Sequence, residues 1–223
     1  MIKTSIEIFG FTILEPVTLL TDMLMACVSL LLFVKLNRVS QKSIRKTLWL
    51  DFFLFFGIST LISGVAHGIY LYVGHFMLMF GWTLGVLSVF FIENATFSCL
   101  NTKKYRAAFR LFSIVQLTTT IAIIFKTQLF LPVTISSAIG MAGIIFPLRI
   151  FMFSKYKDIN SKMIVIGISI AFLSAIVHTF KLSFHRWFNH KDISHIILSV
   201  SLIFFFLGAR GELAVKSNKP KTE

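Results

Sequence analysis

Charged residues are scarce in this chain, and acidic ones are the scarcest. The sequence has 223 residues, of which Asp, Glu, Lys and Arg together make up 14%, whereas soluble domains carry roughly 25%. Only nine residues are acidic, against 22 that are basic. Because so few charges leave little polar surface for a folded unit in water, the composition excludes a separate soluble domain.

Cysteines are also rare, and their number excludes two further classes of protein. Cys27 and Cys99 are the only two; both fall in apolar segments, and they form neither a CxxC motif nor a disulfide framework. We interpret them as buried, unreactive thiols. The first apolar run follows a stretch that contains Glu7 and Glu15 rather than a compact basic region, so we expect no cleavable signal peptide.

Long apolar runs are what the chain has in abundance, and 56% of its residues are hydrophobic. A run of about 18 or more apolar residues is long enough to cross a bilayer as a helix. We therefore predict an all-α polytopic membrane protein, a single seven-helix transmembrane domain over residues 1–223. The predicted spans are 16–34, 48–73, 75–100, 109–126, 130–153, 162–181 and 192–209.

Lysine and arginine are concentrated on one side of these spans, and cytoplasmic loops carry such an excess. We therefore place the N-terminus outside and the C-terminus in the cytoplasm. Because topology accounts for the net charge of +13, we predict the bilayer as a partner and no nucleic acid. The cytoplasmic set is Lys35, Arg38, Lys42, Arg45, Lys46, Lys103, Lys104, Arg106, Arg110, Lys155, Lys157, Lys162, Arg210, Lys216, Lys219 and Lys221; the other side has Lys3, Lys126, Lys181, Arg186 and Lys191.

All six histidines fall at or near the predicted outer ends of the spans, and Glu15 and Asp22 join them at the start of the first span. An ionisable side chain within a span is unfavourable unless it faces the bundle interior and finds a partner. Several such side chains at one depth therefore indicate a shared site. The histidines are His67, His75, His178, His185, His190 and His195.

Two spacings place polar side chains on common helix faces. Ser63 and His67 are four residues apart, and Asp192 and His195 are three apart. Each residue also has a simpler interpretation. Ser63 can bond a carbonyl of its own helix, and His67 can be a neutral, buried histidine. Asp192 or Asn189 can cap the last span, and His195 can be solvated at the membrane boundary.

Glu93 and Arg149 are the ionisable residues of the inner halves of the third and fifth spans. A mutual ion pair would offset the cost of burying each charge. We interpret the two residues as such a pair, with a structural role.

The pattern resembles the CREST superfamily, which includes the alkaline ceramidases and the progestin and adipoQ receptors. The resemblance rests on seven spans with the N-terminus outside, on Ser63-x-x-x-His67 late in the second span and on His195 at the start of the seventh. Glu15 followed by Pro16 is similar to the ceramidases. The resemblance implies a seven-helix bundle with an intramembrane zinc ion held by three histidines, and hydrolysis of a lipid amide.

Two positions depart from the superfamily pattern. The superfamily has His-x-x-x-His in the last span, but Lys191 stands four residues before His195. It also has an aspartate near the start of the third span, and the sequence has none between His67 and Glu93. The departures concern the site and not the seven-span scaffold.

The first functional hypothesis is a zinc-dependent hydrolase of a lipid amide or ester. Catalytic zinc takes three protein ligands and keeps a fourth position for water, whose pKa it lowers to about 7. We expect His67 and His195 to be ligands. The third ligand would be Asp192 or His178, with His190 as a further candidate.

Three residues are candidates for catalytic roles beside the metal. Ser63 would stabilise the developing oxyanion or the bound water. Asp192 or Asp22 would act as the base, or would orient a histidine that binds the metal.

Two other functions stay open at this stage. A receptor or sensor on the same scaffold, without turnover, is favoured by the missing aspartate. A proton-linked transporter would use the outer histidines as titrating groups, but we find no inverted repeat or broken-helix pair. The composition and the short loops suggest a bacterial cytoplasmic membrane protein.

Overall fold

The computed structural model describes residues 4–215. Seven helices in this range are long and apolar enough to cross a membrane. The predicted count of spans is therefore confirmed, and the chain is an all-α helical bundle of an integral membrane protein.

The helices follow one another with short connections. The first four are α1 (Pro16–Asn37), α2 (Ile44–Gly68), α3 (Tyr70–Phe97) and α4 (Lys103–Thr127). The fifth span consists of α5 (Leu131–Ala138), a π-helical segment (Ile139–Ile145) and α6 (Phe146–Tyr156). The last two are α7 (Ile159–Thr179) and α8 (His190–Val215). Several helices extend past the predicted spans at their basic ends. They do so because helical turns rich in Lys and Arg continue beyond the apolar run.

A β-hairpin precedes α1, and the sequence analysis did not predict it. Strands β1 (Ser5–Ile8) and β2 (Phe11–Leu14) pair antiparallel. The two residues between them, Phe9 and Gly10, both have positive φ, as a type I′ turn requires. The backbone N–H of Thr12 donates to the hydroxyl of Tyr72 at 2.9 Å, which fastens the hairpin to α3. We call the end of the bundle that carries this structure the hairpin end.

The second and third spans meet differently from the prediction. Helix α2 ends at Gly68, and residues 70–73 belong to α3, which is broken at Gly74 (φ 66, ψ −164). Glycine adopts this conformation at little cost. The predicted boundary between residues 73 and 75 therefore coincides with a real break, but the break lies inside α3.

Helix α1 packs between α2 and α8, and this arrangement positions the candidate site. Helix α8 also packs against α7, and α2 packs against α3. Aromatic side chains fill much of the core between these helices, including Trp49, Phe52 and Phe205. Helix α4 is peripheral and packs against α3 and α5. Cys27, which we expected to be buried, is exposed on α1.

The predicted pair between Glu93 and Arg149 is wrong. Arg149 forms an ion pair with Glu212 of α8 and also donates to Thr96. The indole of Trp49 donates to the other oxygen of Glu212 at 3.1 Å. The prediction missed Glu212 because the predicted last span ended at residue 209, so this glutamate was left outside the helix that buries it.

Candidate functional site

Helices α1, α2 and α8 bring six ionisable side chains together at the hairpin end. We call this group the histidine cluster, and it consists of Glu15, Asp22, His67, Lys191, Asp192 and His195. Its members are separated by up to 180 positions in the sequence, and the packing of α1 between α2 and α8 joins them.

Glu15 lies at the centre of one half of the cluster. It is the residue before α1 and has a left-handed backbone (φ 44). Its Oε2 lies 3.0 Å from Nδ1 of His67, and its Oε1 accepts a hydrogen bond from Nζ of Lys191 at 2.7 Å. Burial raises the pKa of Glu15, but the hydrogen bonds from His67 and Lys191 outweigh burial and hold the pKa at about 2. Glu15 is therefore a carboxylate at neutral pH.

Asp22 lies at the centre of the other half and is 3% exposed. Its Oδ1 lies 3.5 Å from Nδ1 of His195, whereas its Oδ2 is buried and has no hydrogen-bond partner in residues 4–215. Gly64 of α2 makes room for this side chain, because a Cβ there would lie 2.6 Å from Cβ of Asp22. The unpaired oxygen indicates that the cluster lacks a hydrogen-bond donor or a cation at this point.

The two histidines at the centre of the prediction are held in the same way. Nδ1 of His67 is engaged by Glu15, and Nδ1 of His195 lies 3.0 Å from the hydroxyl of Thr21. Within the described part of the chain, no hydrogen bond engages Nε2 of either ring. Histidines that bind metals commonly have one ring nitrogen fixed by an oxygen atom while the other faces the ion.

Asp192 has a structural role at the start of α8. Its Oδ2 accepts a hydrogen bond from the backbone N–H of Asn189 at 2.7 Å, while the side chain of Asn189 accepts one from the N–H of Lys191 at 2.9 Å. This reciprocal arrangement is a capping box. The other oxygen of Asp192 accepts from the hydroxyl of Thr18 at 2.8 Å. The capping interpretation is confirmed, and both oxygens of Asp192 are engaged.

His178 and His190 form a pair beside the cluster. Their ring centroids are 5.2 Å apart, and Nδ1 of His190 is buried without a hydrogen-bond partner among residues 4–215. His195 lies within electrostatic range of His178 and of His67. The structure thus brings four of the six histidines to one region.

The remaining histidines and Ser63 lie apart from this arrangement. Nε2 of His75 is bonded to the carbonyl of Gln128 at 2.8 Å, and His185 is exposed in the loop before α8. Ser63 faces α3, where a side chain on Gly81 would collide with its hydroxyl. Ser63 makes no side-chain hydrogen bond within residues 4–215, so the simpler interpretation, a bond to a carbonyl of its own helix, is wrong.

The donor set matches zinc in chemistry but does not form a closed site. Zinc accepts imidazoles and carboxylates as ligands, and Nε2 of both rings and Oδ2 of Asp22 have no hydrogen-bond partner among residues 4–215. Among residues 4–215, however, no three His, Cys, Asp or Glu side chains are arranged to hold a metal ion. The third position that the resemblance assigns to histidine is Lys191, whose ammonium is bonded to Glu15.

The sequence analysis missed two hydroxyl residues of the site. Thr18 and Thr21 lie on α1 with Asp22, and all three are buried. Their spacing of three and four residues places them on one face of a helix. This polar stripe on an otherwise apolar helix was the feature of the sequence from which the two threonines could have been predicted.

A family model matches residues 17–214, and its description is a family of unknown function (DUF6962). The matched range includes every member of the histidine cluster except Glu15. No curated protein and no solved structure matches the chain.

Proposed function

The chain belongs to a family of unknown function (DUF6962), and within that family we propose that it is an intramembrane, zinc-dependent hydrolase of a lipid amide or ester. The observation that carries this proposal is the shared arrangement of His67 and His195. Each ring is fixed through Nδ1 by an oxygen atom, and no hydrogen bond within residues 4–215 engages Nε2 of either ring. Asp22 supports it with a buried oxygen that has no hydrogen-bond partner in the described range.

The ligands in this proposal are Nε2 of His67, Nε2 of His195 and Oδ2 of Asp22. A zinc ion bound there would supply a Lewis acid and a water molecule that ionises near neutral pH. The remaining candidates from the sequence, His178 and His190, form a pair beside the cluster and are the alternatives to Asp22 as the third ligand.

The surrounding residues orient this set. Glu15 holds the ring of His67, and because its pKa is about 2, it does so as a carboxylate throughout the neutral range. Thr21 holds the ring of His195. Asp192 fixes the start of α8, the helix that carries His195, and so acts as a positioning residue.

The site's place in the bundle suggests its substrate. The cluster lies at the ends of membrane-spanning helices, where the head of a lipid meets its chains. An acylated amine or a phospholipid would present its amide or ester carbonyl at this depth. From the distribution of Lys and Arg we further propose that the hairpin end faces outward from a bacterial cytoplasmic membrane.

Metal analysis of the purified protein tests the proposal. We expect zinc in the wild type and loss of most of it in His67→Ala and in His195→Ala. His75→Ala is the matched control, because the His75 ring is already bonded to the carbonyl of Gln128, and it should keep its zinc. Undiminished metal in both cluster variants would refute the assignment.

A second candidate is a receptor or sensor without turnover. The ammonium of Lys191 lies where the resemblance implies a histidine, and it already neutralises Glu15. A lysine there supplies a cation without any metal. Hydrolysis of a labelled lipid amide separates the candidates: a hydrolase releases the label and stops when a chelator is added, whereas a receptor releases none.

A further inference from the structure

The β-hairpin before α1 has one face that is entirely apolar. Side chains alternate between the two faces along a strand, and cross-strand partners share a face. The cross-strand pairs are Ser5–Leu14, Ile6–Ile13, Glu7–Thr12 and Ile8–Phe11. The second and fourth pairs therefore lie on one face, which we call the apolar hairpin face. The opposite face carries three polar side chains, those of Ser5, Glu7 and Thr12.

The apolar hairpin face is turned towards the ends of the membrane-spanning helices. At its base, a Cβ added to Gly68 at the end of α2 would lie 3.6 Å from Cγ2 of Ile13. Nearer the tip, the ring of Phe11 lies edge-on to the ring of Tyr72 in α3, with the ring centroids 5.8 Å apart. Both ends of the face thus contact helices, so the face keeps this direction along the whole hairpin.

The tip of the hairpin extends beyond the helices that support its base. Phe9, in the turn, is 99% exposed, and Phe11 is 62% exposed although it contacts Tyr72. Ile8 is also exposed. Contiguous apolar side chains on a protein surface mark sites of contact with another protein or with a membrane. Because the apolar hairpin face is turned towards the helix ends, the part that overhangs them is turned towards the bilayer that surrounds the helices.

Tyr72 indicates the depth of the hairpin in the membrane. Its hydroxyl accepts the hydrogen bond from the N–H of Thr12, and tyrosine is enriched where a membrane meets water. The exposed Leu71 and Phe76 lie near it at the same end of α3, which is a membrane span. Phe9 is three residues from Thr12, at most about 10 Å at about 3.3 Å per residue. The hairpin tip therefore continues the lipid-facing surface of α3 at the level of the headgroups.

We propose that the apolar hairpin face and Phe9 insert into the interface of the bilayer at the hairpin end, so that the partner of this surface is phospholipid. Glu7, on the opposite face, points to water. The hairpin leads directly into Glu15, whose N–H donates to the carbonyl of Thr4 at 2.8 Å, so lipid contact also anchors the segment that carries this carboxylate of the histidine cluster. The proposal depends neither on a metal nor on catalysis.

Spin labels at neighbouring residues test the proposal. Ile8→Cys and Glu7→Cys are made one at a time in a variant without the native cysteines (Cys27→Ser, Cys99→Ser), and the labelled full chain is placed in phosphatidylcholine nanodiscs. Electron paramagnetic resonance then measures how often each label collides with oxygen, which concentrates in the bilayer, and with a water-soluble nickel chelate. The ratio of oxygen to nickel collisions should be several-fold higher at position 8 than at position 7.

A second measurement uses the wild type and needs no label on the protein. The nanodiscs contain a phosphatidylcholine with a photoreactive diazirine at the top of one acyl chain. On irradiation, this lipid should attach to residues 8–11, as mapped by mass spectrometry of peptides. Phe9→Asp should reduce attachment several-fold, because a charge at the tip opposes insertion. Glu7→Gln is the matched control on the opposite face and should leave attachment unchanged.

Three results would overturn the proposal. Frequent nickel collisions at both labelled positions would place the hairpin in water. A label at position 8 that neither reagent reaches would show that protein, such as a second copy of the chain, covers the apolar hairpin face. A wild type whose residues 8–11 gain no lipid on irradiation would exclude phospholipid as the partner, whether or not the labelled variants fold.

Discussion

The ammonium of Lys191 lies 2.7 Å from Oε1 of Glu15, although 176 positions separate the two residues. The other oxygen of the same carboxylate engages His67 at 3.0 Å. One side chain thus joins the start of α1, the end of α2 and the start of α8. The histidine cluster depends on this carboxylate for its alignment.

Substitution of Glu15 should change how stability depends on pH. The pKa of Glu15 is about 2 in the folded protein, below its ordinary value of 4.5. A lowered carboxyl pKa gives stability that is fully present above the ordinary value and is lost as pH falls from about 4.5 towards 2. In Glu15→Gln this contribution is absent, so the melting temperature of wild type should exceed that of the variant at pH 7 and approach it below pH 4.5. Circular dichroism in detergent across this range measures the difference.

The exposed Glu7 of β1 provides the control for this pH series. Glu7→Gln removes a carboxylate from the hairpin that precedes Glu15, without touching Glu15, His67 or Lys191. It should follow the wild-type curve. A constant difference between wild type and Glu15→Gln at every pH would show that the ionisation of Glu15 does not stabilise the fold.

Gly64→Ala should destabilise the contact between α1 and α2. An added Cβ would lie 2.6 Å from Cβ of Asp22 and 3.3 Å from the carbonyl oxygen of Leu19. Neither atom is the flexible end of a side chain, so α1 must shift, at a cost of about 1–3 kcal/mol. Gly143→Ala is the matched control, because no atom outside its chain neighbours and its own helix backbone lies within 4 Å of its added Cβ. Equal free energies of unfolding for the two variants would contradict this account.

The sequence was sufficient to predict the helices but not most of their contacts. Apolar runs define seven spans, and the position of His67 and His195 along their helices places both near one end. The spacing of Asn189 and Asp192 also indicates the cap of α8. The partner of Arg149 could not be found in this way, because Glu212 is distant in sequence and the choice between it and Glu93 depends on which helices pack together. The hairpin was detectable from the alternation of residues around Gly10, but each strand has only four residues.

Outside the histidine cluster, substitution should lower the free energy of unfolding most at the buried ion pair of Arg149 and Glu212. The side chains of Arg149 and Glu212 are 0% and 4% exposed. Removing one partner of a buried pair leaves an uncompensated charge, which costs about 3–5 kcal/mol. Arg149→Met should therefore be strongly destabilised, and the double variant Arg149→Met, Glu212→Leu should recover much of the loss. Lys155→Met, at an exposed position of α6, should have little effect. A double variant as unstable as the sum of the single ones would show that the two charges do not interact.

Lys191→His should convert the cluster into a tighter metal site. An imidazole at this position lies four residues before His195 and shares its helix face, and the substitution also removes the ammonium that is bonded to Glu15. The free energy of zinc binding to a four-ligand site is about 10–16 kcal/mol, or about 3 kcal/mol per ligand. A third histidine should therefore tighten zinc binding by roughly a hundredfold. Titration with a competing chelator measures this change. Lys191→Met removes the charge without adding a ligand and should gain far less. If the methionine and histidine variants bind zinc equally tightly, the gain comes from charge removal alone, and Lys191 does not occupy a ligand position.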